Sequence, residues 1–423
     1  MSKRFLNRLI LVLVVVVPLV AAFIWIRSKP QGRVWVDIPP VNTKGFVAAL
    51  RESENGSRLV SIAPDGTVRE PNGGDSFNDG DFTWHVDGRR LLFISNRSED
   101  GSEQIFSWAP DRKADALQET PSGAVRSAPW CFPLTSEYLF CSRGDVWAIT
   151  WPERRLRPVM PPAGKEKVLG GEEQSMVERT GNVSETDQWI TSAWNSLAND
   201  LESEGFESGR LFASGDYFGG VCRTPRGPVL VIAYMKPGSA PEASPMAAEA
   251  GESLEISVVP DKPLIAVSVV NFRYPLASQV PQSKRRADGT FIRDYQNALL
   301  VYDMSARKKI AVYASDKPGI ALMQPALSPK GDEIAVCLNV DDGGTWKPRA
   351  LLILPLQSMA FNNGIGSTLV QGEVYDPSWS KDGSQLTYVK GGDVFVIDRT
   401  GQNEKNLTNG KGRFRKPQLS PAG

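Results

Sequence analysis

Asp376–Gly410 reads DPSWSKDGSQLTYVKGGDVFVIDRTGQNEKNLTNG, and its punctuation decides the fold. Pro377–Ser380 makes a short strand with proline at its start. Lys381-Asp382-Gly383 makes a turn, because Asp and Gly tolerate the backbone angles of a tight hairpin. Gln385–Val389 alternates polar and apolar, the period of a half-buried strand. Gly391-Gly392 turns again, Val394–Ile397 is a third strand, Arg399–Gly401 a third turn, and Asn406–Thr408 a short edge strand. Four strands joined by tight turns form one small antiparallel sheet. Such a sheet cannot bury both faces alone and needs copies of itself to pack against.

The copies are present. Asp81–Thr120 opens DFTWHVDGRRLLFISNRSEDGSEQIFSW, with the same Trp, Asp-Gly turn and alternating strand. Gln324–Pro355 gives QPALSPKGDEIAVCLNV and then RALLILPL. Ala128–Met160 gives APWCFPLTSEYLFCSRGDVWAIT, with Leu-Thr-Ser in place of the Asp-Gly turn. Leu254–Ala314 is a more distant copy interrupted by a long insert. The pattern resembles the WD40-like repeat of TolB-type β-propellers, P-x-W-S-P-D-G followed by an alternating strand, over about two-thirds of the chain. The resemblance implies an all-β, single propeller.

The two ends bear on ring closure. The chain finishes KPQLSPAG, the first strand and turn of a repeat. The folded part starts at Lys44-Gly45 with a repeat that lacks its first strand. Pairing Pro417–Ser420 with Gly45–Leu50 would complete the first blade and remove an exposed sheet edge. The region between Pro161 and Ser253 matches the repeat poorly. There Gln188–Trp194 reads as a strand and Asn195–Glu204 as a short helix. Leu211–Phe212, Gly220–Arg223 and Val229–Tyr234 read as further strands. Counted as one irregular blade, they give seven; merged into their neighbours, six.

Outside the repeats, residues 1–8 carry Lys3, Arg4 and Arg8, and 9–26 is the apolar run LILVLVVVVPLVAAFIWI. Eighteen helical residues span roughly 27 Å, enough for a bilayer core. This is read as a single-pass signal anchor with a cytoplasmic N-terminus and the propeller on the extracytoplasmic, periplasmic side. The competing reading is a signal peptide cleaved after Val20-Ala21-Ala22. Residues 27–43, with Pro30, Pro39 and Pro40, form an extended linker, and 44–423 the propeller. Charged residues balance at 48 of each sign, which argues against a nucleic-acid binder. Repeat positions account for several of the 11 tryptophans. Four N-x-S/T triplets begin at Asn55, Asn96, Asn182 and Asn406, and matter only in a eukaryotic secretory host.

Cysteine is sparse, and no C-x-x-C supports a zinc site. Cys131 and Cys141 fall on the first two strands of one blade. They are a candidate disulfide in an oxidising compartment, or two small buried apolar residues.

In a four-stranded blade, the second-to-third strand loop and the blade-to-blade connection emerge on the same face. The low-complexity Lys236–Ser253, the basic insert Asn271–Gln296, and the loops Arg51–Ser57, Asn96–Gln104 and Asn339–Arg349 all extend that face. Loops over a rigid scaffold are where binding residues concentrate. Arg273, Arg285, Arg286, Arg293, Tyr295, Trp346 and Arg349 are therefore the candidate binding residues, for a protein or envelope polymer partner.

Enzyme signatures are thin. The one histidine, His85, follows the repeat Trp84, no G-x-S-x-G elbow occurs, and no phosphate loop precedes a helix. Asn339–Trp346 resembles the Asp-box of sialidase-like propellers, with Asn where Ser is usual, so a carboxylate-based glycosidase is the alternative reading. A calcium site at Asp341 and Asp342 would need more ligands than two carboxylates. The sequence thus predicts a non-enzymatic, monomeric, TolB-like binding platform at the cell envelope with no cofactor. TolB-type proteins bind a peptidoglycan-associated lipoprotein. They also carry an α/β domain before the propeller and are released by signal cleavage; with 9–26 read as a retained anchor and 27–43 as a linker, this chain is expected to depart from them on both counts.

Overall fold

The structure is a computed structural model. It describes residues 43–422 apart from 55, 73–75, 86–87, 111–114, 121–125, 132–136, 143–144, 151–155, 161–204, 215–216, 224, 226–227, 235–252, 260–261, 271–281, 283–286, 288–296, 307, 316–318 and 357–365. The chain divides into two compact units, Met1–Val41 and Asn42–Gly423. The first lies outside the described residues, and with it the expected membrane segment 9–26. Among the described residues no helix is long and apolar enough to cross a membrane.

The described residues form seven antiparallel sheets. The first takes its leading strand from the far end of the sequence, in the order Phe414–Leu419, Val47–Ser53, Gly56–Ile62, Val68–Arg69. The second runs Asp79–Trp84, Leu91–Ser95, Gln104–Trp108, Leu117–Gln118, and the third Arg126–Cys131, Glu137–Ser142, Asp145–Thr150, Leu156–Met160. Gly205–Ser214, Tyr217–Arg223 and Val229–Tyr234 make a three-stranded fourth sheet. The fifth comprises Ser253–Val258, Leu264–Val270, Asn297–Asp303 and Lys308–Ser315. Ile320–Leu327, Glu333–Asp342, Thr345–Pro355 and Ser367–Gln371 form the sixth. The seventh is Val374–Trp379, Gln385–Lys390, Asp393–Asp398 and Lys405–Asn406. Each sheet contacts the next, and the seventh contacts Phe414–Leu419 of the first.

The pairing across the ends has a defined register. Val47 faces Leu419, Ala48 faces Gln418, and Arg51 faces Phe414. The Ser420 N–H extends the ladder to the Phe46 carbonyl at 2.8 Å. Thr43, just before Lys44, is fully buried, and its hydroxyl donates to the Gly88 carbonyl at 2.6 Å.

Packing departs from the half-buried strand expected at Gln385–Val389. Leu386, Thr387, Tyr388 and Val389 are all buried, as are all residues of Leu91–Ser95 and Gln104–Trp108. A middle strand here has a neighbouring sheet on each face, so both of its side-chain sets leave water. Polar residues tolerate such positions only with partners. Thr387 has one, donating to the Pro417 carbonyl at 3.1 Å. Between the fifth and sixth sheets the core includes Leu299, Val301, Leu327, Ile334 and Leu354. Burying each such side chain contributes about 1.5–3 kcal/mol.

The repeat tryptophan has a definite task. Trp379 ends the seventh sheet's leading strand, and its Nε1 donates to the Ala326 carbonyl of the sixth at 2.9 Å. Trp84 does the same from the second sheet to Gln418 of the first, at 3.1 Å. An indole is long enough to reach back across one inter-sheet gap, filling it with its ring while its N–H finds a carbonyl.

Candidate functional site

Every leading strand except the fifth sheet's carries a register irregularity near its middle. In three of them the residue at the irregularity precedes a proline and has positive φ: Gln324 at 53°, Asp376 at 52° and Lys416 at 51°. For a residue with a Cβ this costs roughly 1–2 kcal/mol. The conformation aims each of these side chains or amides at the neighbouring sheet. Gln324 N–H donates to the Glu255 carboxylate of the fifth sheet. Asp376 N–H donates to Gln324 Oε1 at 3.0 Å, and Gln324 Nε2 donates back to Asp376 Oδ1 at 2.8 Å. Lys416 N–H donates to Asp376 Oδ2 at 2.9 Å, and the Lys416 ammonium pairs with Asp81 of the second sheet. A polar relay thus crosses five sheets in succession. Its bonds offset the strain and satisfy backbone donors that the irregularities free.

A second polar node joins the first two sheets. Asp79 is fully buried and accepts from Arg97 at 2.9 Å, from Ser95 at 2.7 Å and from the Leu59 N–H at 3.0 Å. Arg58, also fully buried, stands 3.9 Å from the same carboxylate. Arg97 lies over the Phe77 ring at 4.8 Å.

The segment Asn339–Arg349, read from sequence as a loop, is a continuation of the sixth sheet's long hairpin. Asp342 faces Thr345 and Asp341 faces Trp346 across a Gly343-Gly344 turn. Both glycines have positive φ, as a two-residue hairpin turn requires. Glycine supplied the turn, and cross-strand pairing then carried polar residues outward as strand. Asp341 Oδ1 accepts the Gly344 N–H at 2.8 Å, so the Asp-box-like stretch works as a turn stabiliser. Asp342 and Lys347 pair at 2.6 Å while roughly half exposed; this bond to the ammonium holds the Asp342 carboxyl below its usual range. Among the described residues no cluster of three or more His, Cys, Asp or Glu is placed to hold a metal ion.

Of the candidate binding residues, Trp346 is half-buried on this hairpin and Arg349 is exposed at its base. Arg273, Arg285, Arg286, Arg293 and Tyr295 lie outside the described residues. His85 sits in the turn after the second sheet's leading strand, its N–H on the Arg90 carbonyl at 2.9 Å. Cys131 is in register with Tyr138 and Cys141 with Ser127; the side chains of both cysteines lie outside the described set. Sequence reasoning passed over Tyr375, which is 38% exposed on the seventh sheet's leading strand, and over the whole relay. The recurring x-Pro at 324–325, 376–377 and 416–417 was the available signal for the relay.

No protein-family model matches the chain, and no curated protein does. Among solved structures it is similar to TolB from Acinetobacter baumannii, with 13% identity, 90% of this chain and 68% of that one covered, and a TM-score of 0.40. It is also similar to oligogalacturonate lyase from Vibrio parahaemolyticus, with 12% identity, 86% of each chain covered and a TM-score of 0.48. At such identities the likeness concerns the fold alone.

Proposed function

We propose that this chain is a closed, seven-bladed, TolB-like β-propeller, held to the cytoplasmic membrane by residues 9–26 on its extracytoplasmic side. On this reading it serves as a monomeric binding platform for a protein or envelope polymer. Ring closure is supported by the pairing of Val47–Ser53 with Phe414–Leu419 and by the cyclic succession of sheet contacts.

The observation that carries the platform reading is the division of labour among polar groups. The carboxylates of Glu255, Asp376 and Asp81 on the leading strands are engaged with backbone N–H groups or Lys416. The sixth sheet's hairpin instead carries Trp346, half-buried near its turn, and Arg349, exposed at its base. A glycosidase, the alternative, calls for a carboxyl kept protonated near neutrality.

The test is a crosslinking capture from membranes with the full chain, compared with Trp346→Ala, Arg349→Ala and a deletion of 271–296. Loss of the same captured species in these variants supports the platform. Unchanged capture in all three, or hydrolysis of glycan substrates by the unaltered chain, would overturn it.

A further inference from the structure

The chain as a whole is electrically balanced, so a local excess of one sign stands out. Asn409–Lys416 reads NGKGRFRK, with four cations and no acid. The structure fixes this run in place. Asp393 Oδ1 accepts the Gly410 N–H at 2.8 Å and the Thr408 hydroxyl at 2.7 Å. Gly412, at φ 148°, lies so close on Arg51 that an added Cβ would sit 3.1 Å from its Cδ. Phe414 is 2% exposed and anchors the segment in the core between the seventh and first sheets.

Burial of Phe414 dictates what its neighbours do. Successive strand residues point to opposite sides, so Arg413 and Arg415 share the other side, about 7 Å apart. Both are exposed. The irregularity at Lys416 turns that side chain outward too, leaving it 53% exposed. The Arg413 stem rests on Gly392, and its guanidinium has no carboxylate partner among the described residues. Arg415 meets Glu52 at 3.5 Å with 56% of its side chain exposed. Exposed pairs of this kind contribute little, so an incoming carboxylate can take the place of Glu52.

We propose that Arg413 and Arg415 form a docking surface for an extended acidic polypeptide segment. Guanidinium forks bind carboxylates two hydrogen bonds at a time, and the two-residue spacing of the arginines matches alternate side chains of an extended chain. A nucleic acid is disfavoured by the balanced charge of the rest of the chain. A flat anionic bilayer is disfavoured because the run lies on a leading strand flanked by two sheets. The proposal rests on the platform reading and names its partner's chemistry.

The probe is a fluorescent peptide of alternating Glu and Ser, titrated into the full chain, with a Gln-Ser peptide as control. The acidic peptide should bind, weaken steeply with added salt, and lose about tenfold or more in affinity in Arg413→Glu/Arg415→Glu. Lys381→Glu, an exposed cation in the seventh sheet's first turn, should leave its binding unchanged. Equal binding of the Gln-Ser peptide, or no loss in the double reversal, overturns the proposal. So does preferential binding of phosphatidylglycerol vesicles or of an acidic polysaccharide over the peptide. If membrane capture is abolished by Trp346→Ala but unaffected by the double reversal, the platform stands and this surface is not its contact.

Discussion

Asp376 Oδ2 lies 2.9 Å from the backbone nitrogen of Lys416, 40 residues later and in a different sheet. The other oxygen of the same carboxylate accepts from Gln324, in the sheet before. One side chain therefore fastens three consecutive sheets, and does so beside the strand that joins the far end of the chain to its beginning.

Removing that side chain should be costly. Asp376→Ala leaves the Lys416 N–H and the Gln324 amide without their acceptor, and should lower unfolding free energy by about 2–3 kcal/mol. Asp376→Asn keeps one acceptor and should cost less. Urea denaturation followed by tryptophan fluorescence measures both; a loss under about 0.5 kcal/mol for the alanine variant would show the relay to be incidental.

The buried Asp79 node makes a sharper case. Both arginines beside it are almost wholly out of water. Asp79→Ala would strand those charges, and breaking a buried pair from one side costs about 3–5 kcal/mol. Thermal melts should show Asp79→Ala as the more damaging of the two alanine variants.

Gly88 holds a position closed to other residues. Its φ is 68°, and an added Cβ would lie 2.6 Å from the Ala422 nitrogen. Gly88→Ala should cost about 1–3 kcal/mol through backbone strain and displacement of the tail. Hydrogen exchange should localise the effect to Phe414–Leu419 before any other strand.

Acid should weaken the fold through its turns. The Ser380 hydroxyl and the Ser384 N–H hold the Asp382 carboxyl below its ordinary range. Bonds from Ser102, first its hydroxyl and then its N–H, bring Asp100 down to about 2. A carboxyl with a depressed folded pKa stabilises the fold above its unfolded value, about 3.9, and ceases to do so as pH falls through the folded value. Stability should therefore decline below about pH 4, and Asp382→Asn should flatten part of that decline in urea melts taken across the range.

Much of the architecture was legible because it is written locally. An Asp-Gly turn, an alternating strand and a Trp at a fixed offset are short-range signals, and their recurrence announces sheets that must stack. The match of KPQLSPAG to a first strand was legible for the same reason. Asn339–Arg349 misled, because polar composition suggests a loop while the Gly343-Gly344 turn propagates pairing on either side. Leu386–Val389 misled in the opposite sense, because alternation describes one buried face and these strands have two.

From composition and spacing alone came the repeating antiparallel sheets, the turn positions and the x-Pro strand starts, all set by backbone preferences over a few residues. The tertiary structure alone decided which polar groups are occupied and which are offered. Glu255, Gln324, Asp376 and Lys416 are far apart in sequence, and each is an ordinary surface residue by type. Only the stacking of sheets brings a carboxylate within 3 Å of the next sheet's amide, because a hydrogen bond depends on distance and angle rather than on sequence order.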